Sequence, residues 1–419
     1  MALEEDVDAQ LALVSNRLTH RYVHTECENR NTFQTNSHHS TGEDRLEAIE
    51  QMLSLSRKEF GRVGKVGLPV LVEVLTLERD EHVILAVLDV MMTLVTISPT
   101  IAESKTLAIG HVDYLLNCNN LIEKLLLLLK QQKLWMRFKS IQLLRVMAET
   151  RSSETGSAVM KQDAGMMRLV EALNDSREEV RNELIILLRH LTETKEEIQQ
   201  FCAFSQVFKR LLDIMRHEGL YVVFNSILHY HEYITAISNS HYKKITRTPT
   251  LENRYSSSAV VLDCLNVLLN CVSRNQVVRK MFMEPGDCLR GILPILQIEA
   301  QSTSSSKNDE DDVLQNSNKS REQTRSLVLN IVTSLVMRLE ITNNVDEATR
   351  KELQRRATNQ IRENQQRLAK IGYLDAVAIL ALQENNVLAL DTLGHLLHNN
   401  SVMQSQLHHV SVLYVVFDQ

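Results

Sequence analysis

The side chains of this chain that could do chemistry crowd into one short run. His229, His231 and Glu232 fall within four positions of "HYHEYIT", imidazole and carboxylate donors of the kind that hold zinc. A zinc-protease helix needs its second histidine four residues after the first, so that both rings leave one face. Thr235 stands at that place. Histidines two apart, as His229 and His231 are, face opposite sides of a strand or splay on a helix. His38–His39 and His408–His409 have no ligand set beside them. In "FGRVGKVGLP" (60–69) Gly61, Gly64 and Gly67 are spaced by three, but the run ends in Leu-Pro where a phosphate cradle carries Lys-Ser or Lys-Thr. That stretch is expected to be the loop before a helix starting near Leu68. The Glu178–Glu179 pair is expected at a helix start, where carboxylates favour the macrodipole. GxGxxG and GxSxG do not occur. No catalytic, cofactor-binding or metal residue is assigned, no cofactor is expected, and the chain reads as a non-enzyme.

Elements without chemistry must then carry the function. The chain has 419 residues with 12 Gly and 5 Pro, about a third of the usual share. So few turn residues argue against parallel-sheet enzymes and sandwiches, and for helices joined by short polar loops. Aromatic residues are 5% of the chain, so Leu, Ile, Val and Met must do the packing. A net charge of −6 leaves no electrostatic footprint for nucleic acid. The start, "MALEEDVDAQ", is acidic where an export signal is basic and then apolar. His82–Ile97, interrupted by Asp89, is too short to span a bilayer. Cys264, Cys271 and Cys288 sit among apolar neighbours without any CxxC, as buried free thiols of a reducing compartment do. A soluble intracellular chain is expected.

The helices repeat. "KLLLLLKQQKLWMRFKSIQLLRVMAET" (124–150) overlays "RLVEALNDSREEVRNELIILLRHLTET" (168–194) at an offset of 44, matching Leu125 with Leu169, Arg137 with Arg181 and Leu143–Arg145 with Leu187–Arg189. Apolar positions recur every three or four residues in each copy, the mark of amphipathic helices. Ser176 and Glu179 form the pattern of a capping box. Starts at Leu71, Leu125, Leu169 and Leu211 are spaced 54, 44 and 42, the period of armadillo and HEAT arrays. An all-α armadillo/HEAT-like repeat solenoid, a right-handed superhelix, is expected.

The array is interrupted. "ELIILLRHLTETKEEI" (183–198) recurs as "DCLNVLLNCVSRNQVV" (263–278) at an offset of 80, whereas the preceding half-unit is displaced by only 42. The surplus, 38 residues, matches an insertion at 220–257 that holds five of the nine tyrosines. "LYVVF" (220–224) recurs at 413–417, and both spots are expected to be untranslated sequence read through, as from retained introns. The expected domains are an N-terminal helix with a disordered insertion at 20–41 (residues 1–43), repeats over 44–300 interrupted at 220–257, an acidic serine-rich disordered loop at 301–322, and further repeats over 323–419. Within the last, "ATRKELQRRATNQIRENQQRLAK" (348–370) reads as a charged outer helix with a thin seam at Leu353, Ala357, Ile361 and Leu368 and a basic side at Arg355, Arg356, Arg362, Arg367 and Lys370.

The segment 169–219, with "NDSREEVRN", a leucine-rich helix, "AF" and "RLLDI…EG", resembles the general vesicular transport factors, Golgi vesicle-tethering proteins with an armadillo-like head. The resemblance extends over 44–80 and resumes at 260–282. It implies a non-enzymatic tether in ER-to-Golgi and intra-Golgi transport. Such a tether is cytoplasmic, peripheral on Golgi and vesicle membranes, and acts with Rab-family GTPases, golgins and SNAREs. The family's head is followed by a long coiled-coil tail that dimerises, and no sustained heptads occur here. A generic armadillo adaptor of another pathway, such as nuclear transport or cytoskeletal scaffolding, shares the same physics. Protein-binding residues are unassigned: Arg177 and Arg181, at the matched helix start, serve equally well to cap or lace neighbouring helices.

Overall fold

The computed structural model describes residues 2–25, 42–97, 104–118, 120–217, 257–284, 286–297, 311–338, 346–382 and 384–407. The His229–Glu232 run, the two histidine pairs and both copies of "LYVVF" lie outside them. Every regular element among the described residues is an α-helix or a 3-10 turn. The chain divides into two compact units, Met1–Ile198 and Gln199–Gln419.

The first unit holds α1 (Ala2–Thr25), α2 (Gly42–Ser56), α3 (Phe60–Leu77), α4 (Glu81–Val95), α5 (Ser104–Leu116), α6 (Leu121–Leu128), α7 (Leu134–Thr150), α8 (Ser152–Met160), α9 (Gly165–Glu171) and α10 (Glu178–Thr192). Two three-helix repeats are complete here, α5–α6–α7 and α8–α9–α10. Their third helices stack in order, α2 on α4, α4 on α7 and α7 on α10. The apolar stripe of each is what the next one covers: Leu143, Leu144, Leu187 and Leu188 are fully buried.

The chain passes through α11 (Glu196–Phe204) into the second unit. It continues with α12 (Val207–Met215), α13 (Ser257–Arg274), α14 (Gln276–Met283), α15 (Asp287–Ile292), α16 (Asp311–Val336), α17 (Glu347–Ile371), α18 (Tyr373–Leu382) and α19 (Val387–Leu397). Here α13 packs on α16 and α16 on α19, a second ladder of third helices. Leu71, Leu125, Leu169 and Leu211, the starts read from the sequence, fall on the second helices α3, α6, α9 and α12, and all four are fully buried. The fold is the all-α, armadillo-like repeat the leucine spacing implies.

One device recurs that the leucines do not show. The residue before the second helix is left-handed in four successive repeats, at Ala164 (φ 54°), Gln206 (φ 59°), Gly286 (φ 68°) and Gly372 (φ 109°). A non-glycine residue held there costs about 1 kcal/mol, which packing of the helices on either side must offset. Gln206 and Gly286 are 80 residues apart where Ala164 and Gln206 are 42 apart. The surplus falls between α12 and α13.

Four boundaries differ from the sequence reading. Helix α3 starts at Phe60, so 60–69 is helix and not a loop. The three glycines serve packing: a Cβ on Gly64 would lie 1.8 Å from the ring of His111, and one on Gly61 3.2 Å from Leu107. The Ser176–Glu179 capping box does not form; α10 begins at Glu178, and Asp175 Oδ1 accepts the Arg177 N–H at 2.9 Å instead. Helix α1 runs to Thr25, into the stretch expected as an insertion. Helix α16 opens at Asp311, inside the expected 301–322 loop. No Gly or Pro interrupts 311–336, so the helix anchored by Val328, Leu329, Ile331 and Val332 propagates backwards.

Candidate interaction surface

Helix α7 is the centre of the first ladder because its cations are spent on its neighbours. Lys133 meets Glu81 at 3.4 Å and Lys139 meets Asp89, both acids of α4. Arg137 forks onto Asp175, with Nε at 2.6 Å and Nη2 at 3.1 Å. Arg145 reaches the buried Glu183 of α10, and Arg151 Nε reaches Asp113 of α5 at 2.7 Å. Every basic residue from Lys133 to Arg151 is thus committed to an acid on another element. Burial would raise the carboxyl pKa of Asp175, but hydrogen bonds from Arg137 and the Arg177 N–H outweigh it and hold it below the usual range. The Arg151 hydrogen bond lowers that of Asp113.

The Arg137–Asp175 contact belongs to a series. Arg45 of α2 pairs with the buried Glu78, and Arg325 of α16 donates to Glu384 at 2.7 Å. Glu78, Asp175 and Glu384 each stand three residues before the next third helix, α4, α10 and α19. The acid also closes its own turn: Glu78 Oε1 accepts from the N–H groups of Arg79 and Asp80 at 2.8 and 2.9 Å. One third helix is latched by arginine to the turn that launches the next. Such pairs contribute fixed geometry more than net stability, but losing one partner strands a buried charge.

Arginine also closes the turns. Arg137 Nη1 donates to the carbonyls of Gln131 and Gln132 at 2.8 and 2.7 Å, and its matched residue Arg181 donates to that of Asp175 at 2.8 Å. Buried Arg279 holds the carbonyls of Val272 at 2.7 Å and of Met337 at 2.8 Å. Its desolvated guanidinium is pushed down to about 10. Arg181 therefore laces a turn; Arg177 is exposed.

With the cations spent, what the α7 edge offers is apolar. Trp135, the chain's one tryptophan, is 55% exposed and meets Phe138 edge-on, with centroids 5.7 Å apart. Lys124 of α6 donates to the carbonyls of Thr76 and Glu78 at 3.3 Å, and Leu77 and Leu127 are exposed. Tryptophan is among the residues most enriched at protein-binding hot spots.

His111 is buried, its Nδ1 2.7 Å from the Leu94 carbonyl and its ring on Phe60. Burial lowers its pKa below the usual histidine value. Cys202 and Cys271 are both buried, and burial raises the Cys271 thiol. Cys264 is buried as expected, whereas Cys288 is only partly so, and burial pushes it up to about 11. Among the described residues, no group of three or more His, Cys, Asp or Glu could hold a metal ion, and no helix is long and apolar enough to cross a membrane.

The bovine and human general vesicular transport factor p115 are 28% identical to this chain over 185 residues, 42% of this chain and 19% of theirs. Over that stretch this chain is similar to vesicular transport factors. Golgin candidate 6 of Arabidopsis thaliana is 29% identical over 184 residues, and the intracellular protein transport protein USO1 of Saccharomyces cerevisiae 25% over 175. The stretch shared with p115 or golgin candidate 6 is about a fifth of the length of those relatives. A crystal structure of Uso1 superposes on 96% of this chain and 54% of that chain with a TM-score of 0.67 at 20% identity, which establishes the fold. No family model matches the chain.

Proposed function

We propose that this chain is the helical-repeat head of a vesicle-tethering factor, acting in ER-to-Golgi and intra-Golgi transport through protein contacts and without catalysis. The observation that carries the reading is the similarity to vesicular transport factors from animals, a plant and a yeast. The architecture agrees in kind: stacked helices give extended surfaces rather than a reactive pocket. Rab-family GTPases, golgins and SNAREs are the partners proposed, on membranes the head visits peripherally from the cytoplasm. The Trp135 edge is the proposed contact in the first unit, since a large rigid aromatic gains most from burial at an interface.

The test is capture of secretory-pathway Rab GTPases from cytosol on the immobilised full chain, loaded with a non-hydrolysable GTP analogue or with GDP. Retention in the GTP state, reduced about tenfold by Trp135→Ala, supports both the role and the surface. Capture that ignores the nucleotide, or preference for nuclear-transport or cytoskeletal proteins, replaces the reading with a generic adaptor.

A further inference from the structure

Helix α17 occupies the first-helix place in the last described repeat, but it is far too long for it. Its counterparts α8, α11 and α14 have 9, 9 and 8 residues, and α17 has 25. Only its C-terminal part is built into the second unit. There Asn364 donates to the Leu335 carbonyl at 2.7 Å, Gln365 donates to the His395 carbonyl at 2.9 Å, and Leu368 is fully buried. None of the fourteen residues from Glu347 to Gln360 is buried. That half has its own devices: Asp346 accepts the Thr349 N–H at 3.0 Å as a cap, and Glu347 and Glu352 pair with basic residues one turn on.

A helix held in this way opens readily from its free end. Unwinding residues 347–360 exposes no buried side chain, and helix without tertiary packing is marginal in water. The contacts of Asn364, Gln365 and Leu368 stay in place meanwhile. This stretch can therefore be presented in extended form while the second unit remains folded, the low-stability end of a structure from which modifiable segments are drawn.

The residues of the stretch fix the chemistry of what reads it. Arg355 and Arg356 are the one Arg-Arg pair in the chain, and Ala357 and Thr358 follow. Two guanidinium groups, three and two residues before a hydroxyl, suit a protein kinase whose substrate groove is acidic. Its carboxylates take the arginines and so set the hydroxyl against the γ-phosphate of ATP. Both arginines share Glu352, at 3.0 and 2.9 Å, but their side chains are 71% and 72% exposed. Ion pairs so open to water contribute little, and another carboxylate can replace Glu352. Half-buried Thr358 donates through Oγ1 to the Gln354 carbonyl at 2.9 Å, a local bond that opening of the turn releases.

We propose that Thr358 is a phosphorylation site for an arginine-directed protein kinase, reached by fraying of the N-terminal half of α17. Thr358 Oγ1 attacks the γ-phosphorus of ATP. The new O–P bond forms as the bond from that phosphorus to the bridging oxygen breaks, ADP leaves with the electron pair, and the hydroxyl proton passes to the kinase's basic carboxylate. The phosphate brings about −1.5 to −2 charge at pH 7. When the helix re-forms it lies one turn from both Arg355 and Arg362. This inference is independent of the tethering role.

The test incubates the folded full chain with ATP and the catalytic subunit of cAMP-dependent protein kinase, and follows each phosphate by mass spectrometry. Thr358 should be modified fastest. Arg355→Ala and Arg356→Ala should each slow it about tenfold or more, with the thermal melt unchanged because both side chains are exposed. Asp346→Ala, which removes the cap, should speed it about fivefold, because the rate follows the population of the open helix. Several outcomes would overturn the proposal: no phosphate on Thr358, phosphate there only after heat denaturation or no faster than on other hydroxyls, indifference to both arginine substitutions, or a rate that Asp346→Ala leaves unchanged.

Discussion

Helices α7 and α17 are both rich in cations, but the acids that their ion pairs use stand in different places. On α7 each cation reaches across to an acid on α4, α5, α10 or the turn before α10. In the first half of α17 the pairs Lys351–Glu347, Arg355–Glu352 and Arg356–Glu352 stay within the helix. Local pairs at three or four residues add little stability and leave the outer side chains in water. Long-range pairs in partly buried sites fix one helix against the next. A basic helix is therefore a surface or a fastener according to where its acids are, which sequence composition does not record.

The comparison breaks most visibly at the fasteners. Replacing Arg45 by Ala leaves Glu78 buried without its cation, and denaturant unfolding should show a loss of about 3–5 kcal/mol. Arg137→Ala should lose somewhat less, about 2–3 kcal/mol, because the Arg137–Asp175 pair is less deeply buried than Arg45–Glu78. Gly64→Ala, which forces a methyl against the His111 ring, should cost about 1–3 kcal/mol by overpacking. At the other end of the scale, Arg355→Ala on α17 should leave the melting temperature where it is. A large shift there would erase the distinction between the two helices.

Acid should sharpen the same contrast within the first unit. His111 is lowered by burial, against the pull of the Leu94 carbonyl, and His190 by burial and then by Arg189. A folded value below the unfolded one of about 6.5 means that the unfolded chain takes up the proton first. Their stabilising contribution is complete above about pH 6.5 and is lost as the pH falls through and below it. Thermal melts between about pH 7.5 and 5.5 should therefore decline, and His190→Gln should flatten part of the slope.

Much of the fold was legible because burial writes itself as period. Leu71, Leu125, Leu169 and Leu211 announce the second helices, and the 80-residue offset of the sequence recurs between Gln206 and Gly286. What stayed hidden was backbone and partner geometry. Ala164 and Gln206 carry no sign that they are left-handed, as Gly286 and Gly372 do. Gly61, Gly64 and Gly67 read as a loop because glycine's role in close helix packing depends on a residue, His111, some fifty positions away. Ser176 and Glu179 have the spacing of a capping box, but the acid that closes this turn is Asp175, whose second partner, Arg137, lies 38 residues back. The arginine latches could have been found by asking which acids stand three residues before each third helix. For the surface, Trp135 was visible as the one tryptophan, but only its exposure separates an anchor from a core residue.

The role proposed for this helical array lies at membranes of the early secretory pathway and runs through protein contacts. Its most direct test is the position of the full chain, fluorescently tagged, in living cells beside a Golgi marker. The account predicts concentration on Golgi membranes and nearby vesicles that a Trp135→Ala variant of unchanged thermal stability loses in part. Uniform cytosolic or nuclear distribution of the wild-type chain would contradict it.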